Sequence, residues 1–157
     1  MNFHEKKNLI FHLLAGFVIA LITALSIYSF IAIIKGGAGE KTIACIATMV
    51  LAVFSLLQAV FLFMGGKKES SLKNIGFNEN DKVNFAFLIP VMIGTVFGLA
   101  LSILSAVLLA TKEGEPYFTS SMVILPIGLY LTVNCLIYYV YLLAFKKREL
   151  DLRKLIK

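Results

Sequence analysis

Charged residues are missing from four long runs of the chain, Leu9 to Ile34, Thr42 to Met64, Val83 to Ala110 and Tyr117 to Phe145. Each run exceeds the roughly 20 apolar residues that a helix needs to cross a hydrocarbon layer about 30 Å thick. Backbone polar groups in lipid are satisfied only by helices or closed barrels, and a barrel would need shorter segments of alternating polarity. The pattern therefore predicts an all-α integral membrane protein, a bundle of four transmembrane helices over about 9–34, 42–64, 83–110 and 117–145, with residues 1–157 forming one domain. The first run follows Lys6 and Lys7 as a secretory signal would, but it far outruns the 7 to 15 apolar residues of a signal. It reads as a retained anchor.

The polar stretches between the runs set the connectivity. "KGGAGEK" (Lys35 to Lys41) and "TKEGEP" (Thr111 to Pro116) are tight glycine-bearing turns, so the spans are expected to form two antiparallel hairpins. Residues 66–82 supply a longer loop between them. Within that loop "NEND" (Asn78 to Asp81) has the composition of a helix start, either a lead-in to the third span or a docking site for a partner. Residues 146–157, "KKRELDLRKLIK", form a basic C-terminal tail with an apolar edge at Leu152, Leu155 and Ile156. That edge suits a helix lying on a membrane surface as well as a solvated helical tail.

Hydrophobic residues make up 59% of the 157-residue chain and charged residues 15%, which removes it from ordinary soluble domains. Of the 15 Lys and Arg residues, twelve fall in the N-terminal tail, the middle loop and the C-terminal tail, and three (Lys35, Lys41 and Lys112) fall on the opposite side. The positive-inside rule then makes both termini and the middle loop cytoplasmic, in a multi-pass protein expected in the plasma membrane. The net charge of +6 belongs beside helix ends, where Lys146, Lys147 and Arg148 are expected to meet anionic lipid headgroups. Nucleic acid is not an expected partner.

Within the spans, small residues recur every fourth position. Gly94, Gly98, Ser102 and Ala106 do so on the third, Gly16, Ala20 and Ala24 on the first, and Ala44, Thr48 and Ala52 on the second. Lipid supplies no hydrophobic drive between helices, so close backbone approach at such residues is a principal route to association. Because each i+4 step drifts by about 40°, a ridge of this kind serves one contact of about three positions. Pro126, Tyr130, Asn134 and Tyr138 also recur at i+4 on the fourth span, and Gln58 is the strongest polar group on the second. Counted from the outer ends, Gln58 and Asn134 fall at similar depths. They are expected to bond across helices; the alternative is that they line a polar path, helped by carbonyls freed at Pro90 and Pro126.

The chemistry is sparse. The four runs hold no Asp, Glu, Lys or Arg for a proton relay, ion-pair switch or voltage sensor, and no nucleophile with a base partner, paired carboxylates or phosphate-binding glycine loop is found. Cys45 and Cys135 sit at different depths, which argues against a disulfide. His4 and His12, with Glu5 the only nearby acid, are weak ground for a metal site and read as interfacial anchors. Neither a catalytic activity nor a cofactor is expected. The expected function is that of a subunit or an assembly or regulatory factor of a larger membrane complex, its partners the bilayer and other membrane subunits or copies of itself. The alternative is a small oligomeric transporter or channel for an uncharged or weakly charged solute.

Overall fold

A computed structural model describes residues 3–36, 41–65, 85–111 and 117–141, and those residues are organised as four helices: α1 (Phe3–Gly36), α2 (Thr42–Gly65), α3 (Phe85–Ala110) and α4 (Phe118–Tyr141). All four are long and apolar enough to cross a membrane. The bounds follow local chemistry. α1 continues through the polar Phe3 to Asn8 segment. At the other end of α1, the Lys41 ammonium donates to the Ile34 carbonyl at 3.3 Å, satisfying one of the orphan acceptors that any helix leaves in its last turn. α2 then begins at once, with Cys45 N–H donating to the Lys41 carbonyl at 2.9 Å. Pro90 and Pro126 lie inside α3 and α4, so each of these helices gives up one backbone hydrogen bond.

Hydrophobicity is spread almost evenly around each helix, so it does not select the inward face. Small and hydroxylated residues do. On α1 the buried positions are His12, Ala15, Ile19, Ile22, Ser26, Ser29 and Ile33, with Gly16 and Thr23 beside them. Steps of three and four alternate along this row, a mean period of 3.5, which keeps one seam against a neighbour along a supercoiled pair. Thr48, Ser55 and Ala59 are buried on α2, and Gly98, Ser102 and Ser105 on α3. The outward faces carry the large residues instead, among them Phe17, Leu21, Phe54, Phe61, Val96 and Phe97.

α1 packs along α2, α3 packs along α4, α1 also packs on α4, and α2 meets α4 more lightly. α3 makes its substantial contacts with α4 alone among the described helices. The core lies where α1, α2 and α4 converge, with Ile19, Ile22 and Ala59 at its centre and Ala20, Leu62, Tyr130, Val133 and Ile137 around them. α4 therefore serves two neighbours with two faces. At 100° per residue, Gly128, Thr132 and Cys135 lie roughly 160° around the helix from Tyr130, Val133 and Ile137. One face meets the core and the other meets α3.

Candidate functional site

The polar side chains of α2 and α4 come together in a closed circuit. The Tyr130 hydroxyl donates to Gln58 Oε1, Gln58 Nε2 donates to Asn134 Oδ1, and Asn134 Nδ2 donates to the Tyr130 carbonyl at 2.9 Å. Tyr130 and Asn134 are one helical turn apart, which lets the asparagine return to the backbone of the residue whose side chain began the circuit. Each amide thus acts as donor and acceptor, the arrangement that makes an embedded amide tolerable in an apolar medium. Asn134 lies about 40° from Tyr130 around α4, on the flank turned toward α2. All three side chains are half-buried.

The α3–α4 seam is built from backbone. A Cβ at Gly98 would stand 2.6 Å from Thr132 Oγ1 and 2.8 Å from the Gly128 carbonyl oxygen, and one at Gly128 would stand 2.6 Å from Ser102 Oγ and 2.8 Å from the Gly98 carbonyl oxygen. The relation is reciprocal: each glycine faces the other's carbonyl. The hydrogen that stands in for Cβ points at that carbonyl, in the manner of the weak Cα–H···O contacts common between close helices. Ser102 and Thr132 each donate to the carbonyl of the glycine one turn earlier, at 2.8 Å in both cases. Their hydroxyls are therefore satisfied within their own helices while their small bulk admits the neighbour. Gly94 extends the seam, since a Cβ there would lie 2.9 Å from Cys135 Sγ. Cys45 and Cys135 are both free thiols.

Between α1 and α2 the contact is looser in kind. The Phe63 ring covers Gly16, its Cε1 2.9 Å from where a Cβ would sit. Seven residues further along α1, Thr23 donates to Ser55 Oγ at 2.8 Å, and Ser55 in turn donates to the Ala52 carbonyl at 3.1 Å. Ser26 donates to the Ile22 carbonyl of its own helix at 2.8 Å. The next hydroxyl on the stripe, Ser29, is fully buried, and its Oγ has no hydrogen-bond partner. At the other end of α1 His12 is buried edge-on against Phe11 and Tyr141, with ring centroids 5.8 and 6.5 Å away.

The structure brings Gln58, Tyr130 and Asn134 together, sets Gly94, Gly98 and Ser102 against α4, puts Gly16 against α2 and packs Ala20 beside the core. Ala24 and Ala106, the last members of two of the i+4 rows, are exposed. The 40° drift per step has carried them off the seam, and Ile22 with Thr23, and Ser105, hold the inward positions instead. Lys146, Lys147 and Arg148, the middle loop, the C-terminal tail and the side chain of His4 lie outside the described residues. Among the described residues, no three of His, Cys, Asp and Glu are gathered closely enough to share a metal ion. Sequence reasoning passed over Gly128, half of the reciprocal glycine pair, and the hydroxyl row Thr23, Ser26 and Ser29. Both carried a signal: Gly128 and Thr132 repeat the small-residue spacing of Gly98 and Ser102, and the hydroxyls recur every third residue. Searched against known protein families, curated proteins and solved structures, the chain matches none.

Proposed function

We propose that this chain is a non-catalytic, four-span membrane protein of two antiparallel hairpins that acts as a subunit or an assembly or regulatory factor of a larger membrane complex. The observation that carries the reading is the packing: apart from a few isoleucines such as Ile19, Ile22 and Ile33, the inward positions are held by small and hydroxylated residues, while most Leu, Ile, Val and Phe side chains cover the outside. In water such a surface would far exceed the apolar patches that monomers tolerate. In lipid it costs nothing, and association falls to small residues and interhelical hydrogen bonds. The contacts within each pair run in opposite directions, Gly16 to Phe63 and then Thr23 to Ser55, Gly94 to Cys135 and then Ser102 to Gly128, which supports the hairpins.

The polar groups favour adhesion over chemistry. The Gln58, Tyr130 and Asn134 circuit closes on itself, and the hydroxyls of Thr48, Thr95, Ser102 and Thr132 are turned back on carbonyls of their own helices. α3, whose substantial contacts among the described helices are with α4, leaves long flanks for another membrane helix. Both termini and the middle loop are assigned to the cytoplasm on the basic-residue count. Purification in mild detergent from the native membrane tests the reading. Co-elution with unrelated subunits is the expected result, whereas a homo-oligomer that passes solute in liposomes would replace it with the transporter reading. In a background of Cys45→Ser and Cys135→Ala, an impermeant thiol reagent added from outside should label Gly37→Cys and Gly114→Cys. Labelling of Ser71→Cys instead would reverse the orientation.

A further inference from the structure

On the outward side of the α1–α2 pair lies a groove of about 370 Å³, walled by Ile27, Phe30 and Ile31 of α1 and by Met49, Val53 and Leu56 of α2, with Thr23 and Ala52 completing the lining. No polar atom lines it. Thr23 is the one residue of the lining with a polar side chain, and its hydroxyl is engaged by Ser55 and by the Ile19 carbonyl. We propose that this groove binds one acyl chain of a bilayer phospholipid, with the phosphate at the Lys35 end.

The length of the groove and its lining point to the occupant. From Thr23 to Ile31 the groove follows eight residues of helix, about 12 Å at 1.5 Å per residue. A single hydrocarbon chain lying parallel to the helices fits a groove of that length between the two apolar walls. The chemistry agrees, because the lining offers dispersion contacts only and would leave any polar ligand group unsatisfied. Lys35 is exposed one turn beyond Ile31, where its ammonium meets a phosphate carried at the end of the chain. Lys41, by contrast, is engaged with the Ile34 carbonyl.

This inference rests on the membrane reading, and the experiment separates the two. The full chain is reconstituted in nanodiscs containing phosphatidylglycerol with a photoactivatable diazirine on its acyl chain, and cross-links are mapped by mass spectrometry. Labelling should concentrate on the Ile27 to Ile31 and Met49 to Leu56 segments over the exposed face of α3 at Ile103 and Leu104. Filling the groove by Ala52→Phe should lower labelling there about tenfold, the effect of denying a chain roughly two methylenes of burial, while labelling of α3 is unchanged. Leu56→Trp, at the exposed rim, should do the same without touching the helix contact, so misfolding of one variant leaves the test intact. Lys35→Gln should reduce the preference for the anionic probe over its phosphatidylcholine counterpart. Equal labelling of groove and α3, or labelling indifferent to both fillings, would overturn the proposal and leave the membrane reading standing. No labelling anywhere would sink both.

Discussion

The two helix pairs are held by different means, although both use small residues. Between α3 and α4, Gly98 and Gly128 face each other's carbonyls, so the contact is made by atoms that cannot rotate away. Between α1 and α2, Gly16 faces the end of a phenylalanine ring, and the nearby polar contact joins two hydroxyls. The first seam is stiff and the second compliant. A glycine at a helix contact thus has no fixed worth; its importance follows from whether backbone or a flexible side chain lies opposite.

The largest effect is expected at Gly98. A leucine there has no space against the Thr132 amide and the Gly128 carbonyl, so α3 must separate from α4, its one substantial neighbour among the described helices. The loss should exceed the roughly 1–3 kcal/mol of ordinary overpacking. A cross-link reads this directly. Gly94→Cys would set its Cβ 2.9 Å from Cys135 Sγ, within reach of a disulfide, so in a Cys45→Ser background mild oxidation should join the two thiols. Adding Gly98→Leu should abolish that bond. Persistence of the cross-link at an unchanged rate would show that the seam is as compliant as the other one.

Next in size is the amide circuit, which belongs to neither helix pair but joins α2 to α4. Gln58→Leu removes the acceptor of the Tyr130 hydroxyl and the donor to Asn134 at once. Interhelical bonds in membranes average about 0.6 kcal/mol and reach about 1.7, so a loss of about 1–2 kcal/mol is expected in detergent unfolding. The double change Gln58→Leu with Asn134→Leu should cost less than the sum of the two single changes, because each single change leaves an amide stranded. Strict additivity would mean that the two amides do not act on each other.

The helices themselves were legible in the sequence because absence of charge over twenty or more residues is a strong, local signal. The faces were less so. In water an amphipathic stripe points to the core, but here Phe17 and Leu21 face outward while Ser26 and Ser29 face inward, so hydrophobicity carries no direction. An i+4 row of small residues gave the right start at Gly94 and Gly98 and then ran off the seam at Ala106, since packing against a neighbour follows a period of 3.5 and not 4. The amide pair was legible from depth counting and from the i+4 recurrence of polar residues on α4, since a run without charges leaves few partners for an amide and matched depths narrow them further. Gly128 was hidden by its neighbours Pro126 and Tyr130, whose larger side chains drew the reading to the other face of α4.

A smaller effect is expected at Gly16. Alanine there would press on Phe63, but only on the edge of a ring that is itself partly exposed. The ring can swing aside, and the cost should stay under the lower end of the overpacking range, about 1 kcal/mol. Gly98→Ala, the matched change on the stiff seam, should cost clearly more. If the two alanine variants unfold alike, the distinction between backbone and side chain opposite a glycine does not hold in this protein.

The smallest effect, and the one whose sign is most informative, lies along the hydroxyl row of α1. Thr23, Ser26 and Ser29 share a face, but only Thr23 bonds another helix. Thr23→Val should therefore lose about the average interhelical bond, roughly 0.6 kcal/mol. The Ser26 bond runs to the Ile22 carbonyl of its own helix and exists whether or not the helices are associated, so Ser26→Ala should be close to neutral. Ser29 is different again. When α1 stands alone its hydroxyl is free to turn back on a carbonyl of the preceding turn, as those of Ser26 and Thr23 do, whereas in the packed protein it is buried without a partner. Packing thus removes a hydrogen bond at this position, and an unsatisfied hydroxyl costs about 1–3 kcal/mol. Ser29→Ala deletes the penalty and leaves a void smaller than a methyl group, so it should stabilise the helix assembly by up to about 1 kcal/mol in the same unfolding measurement. A destabilisation equal to that of Thr23→Val would instead mean that the Ser29 hydroxyl is bonded across the interface, through a water held between the helices.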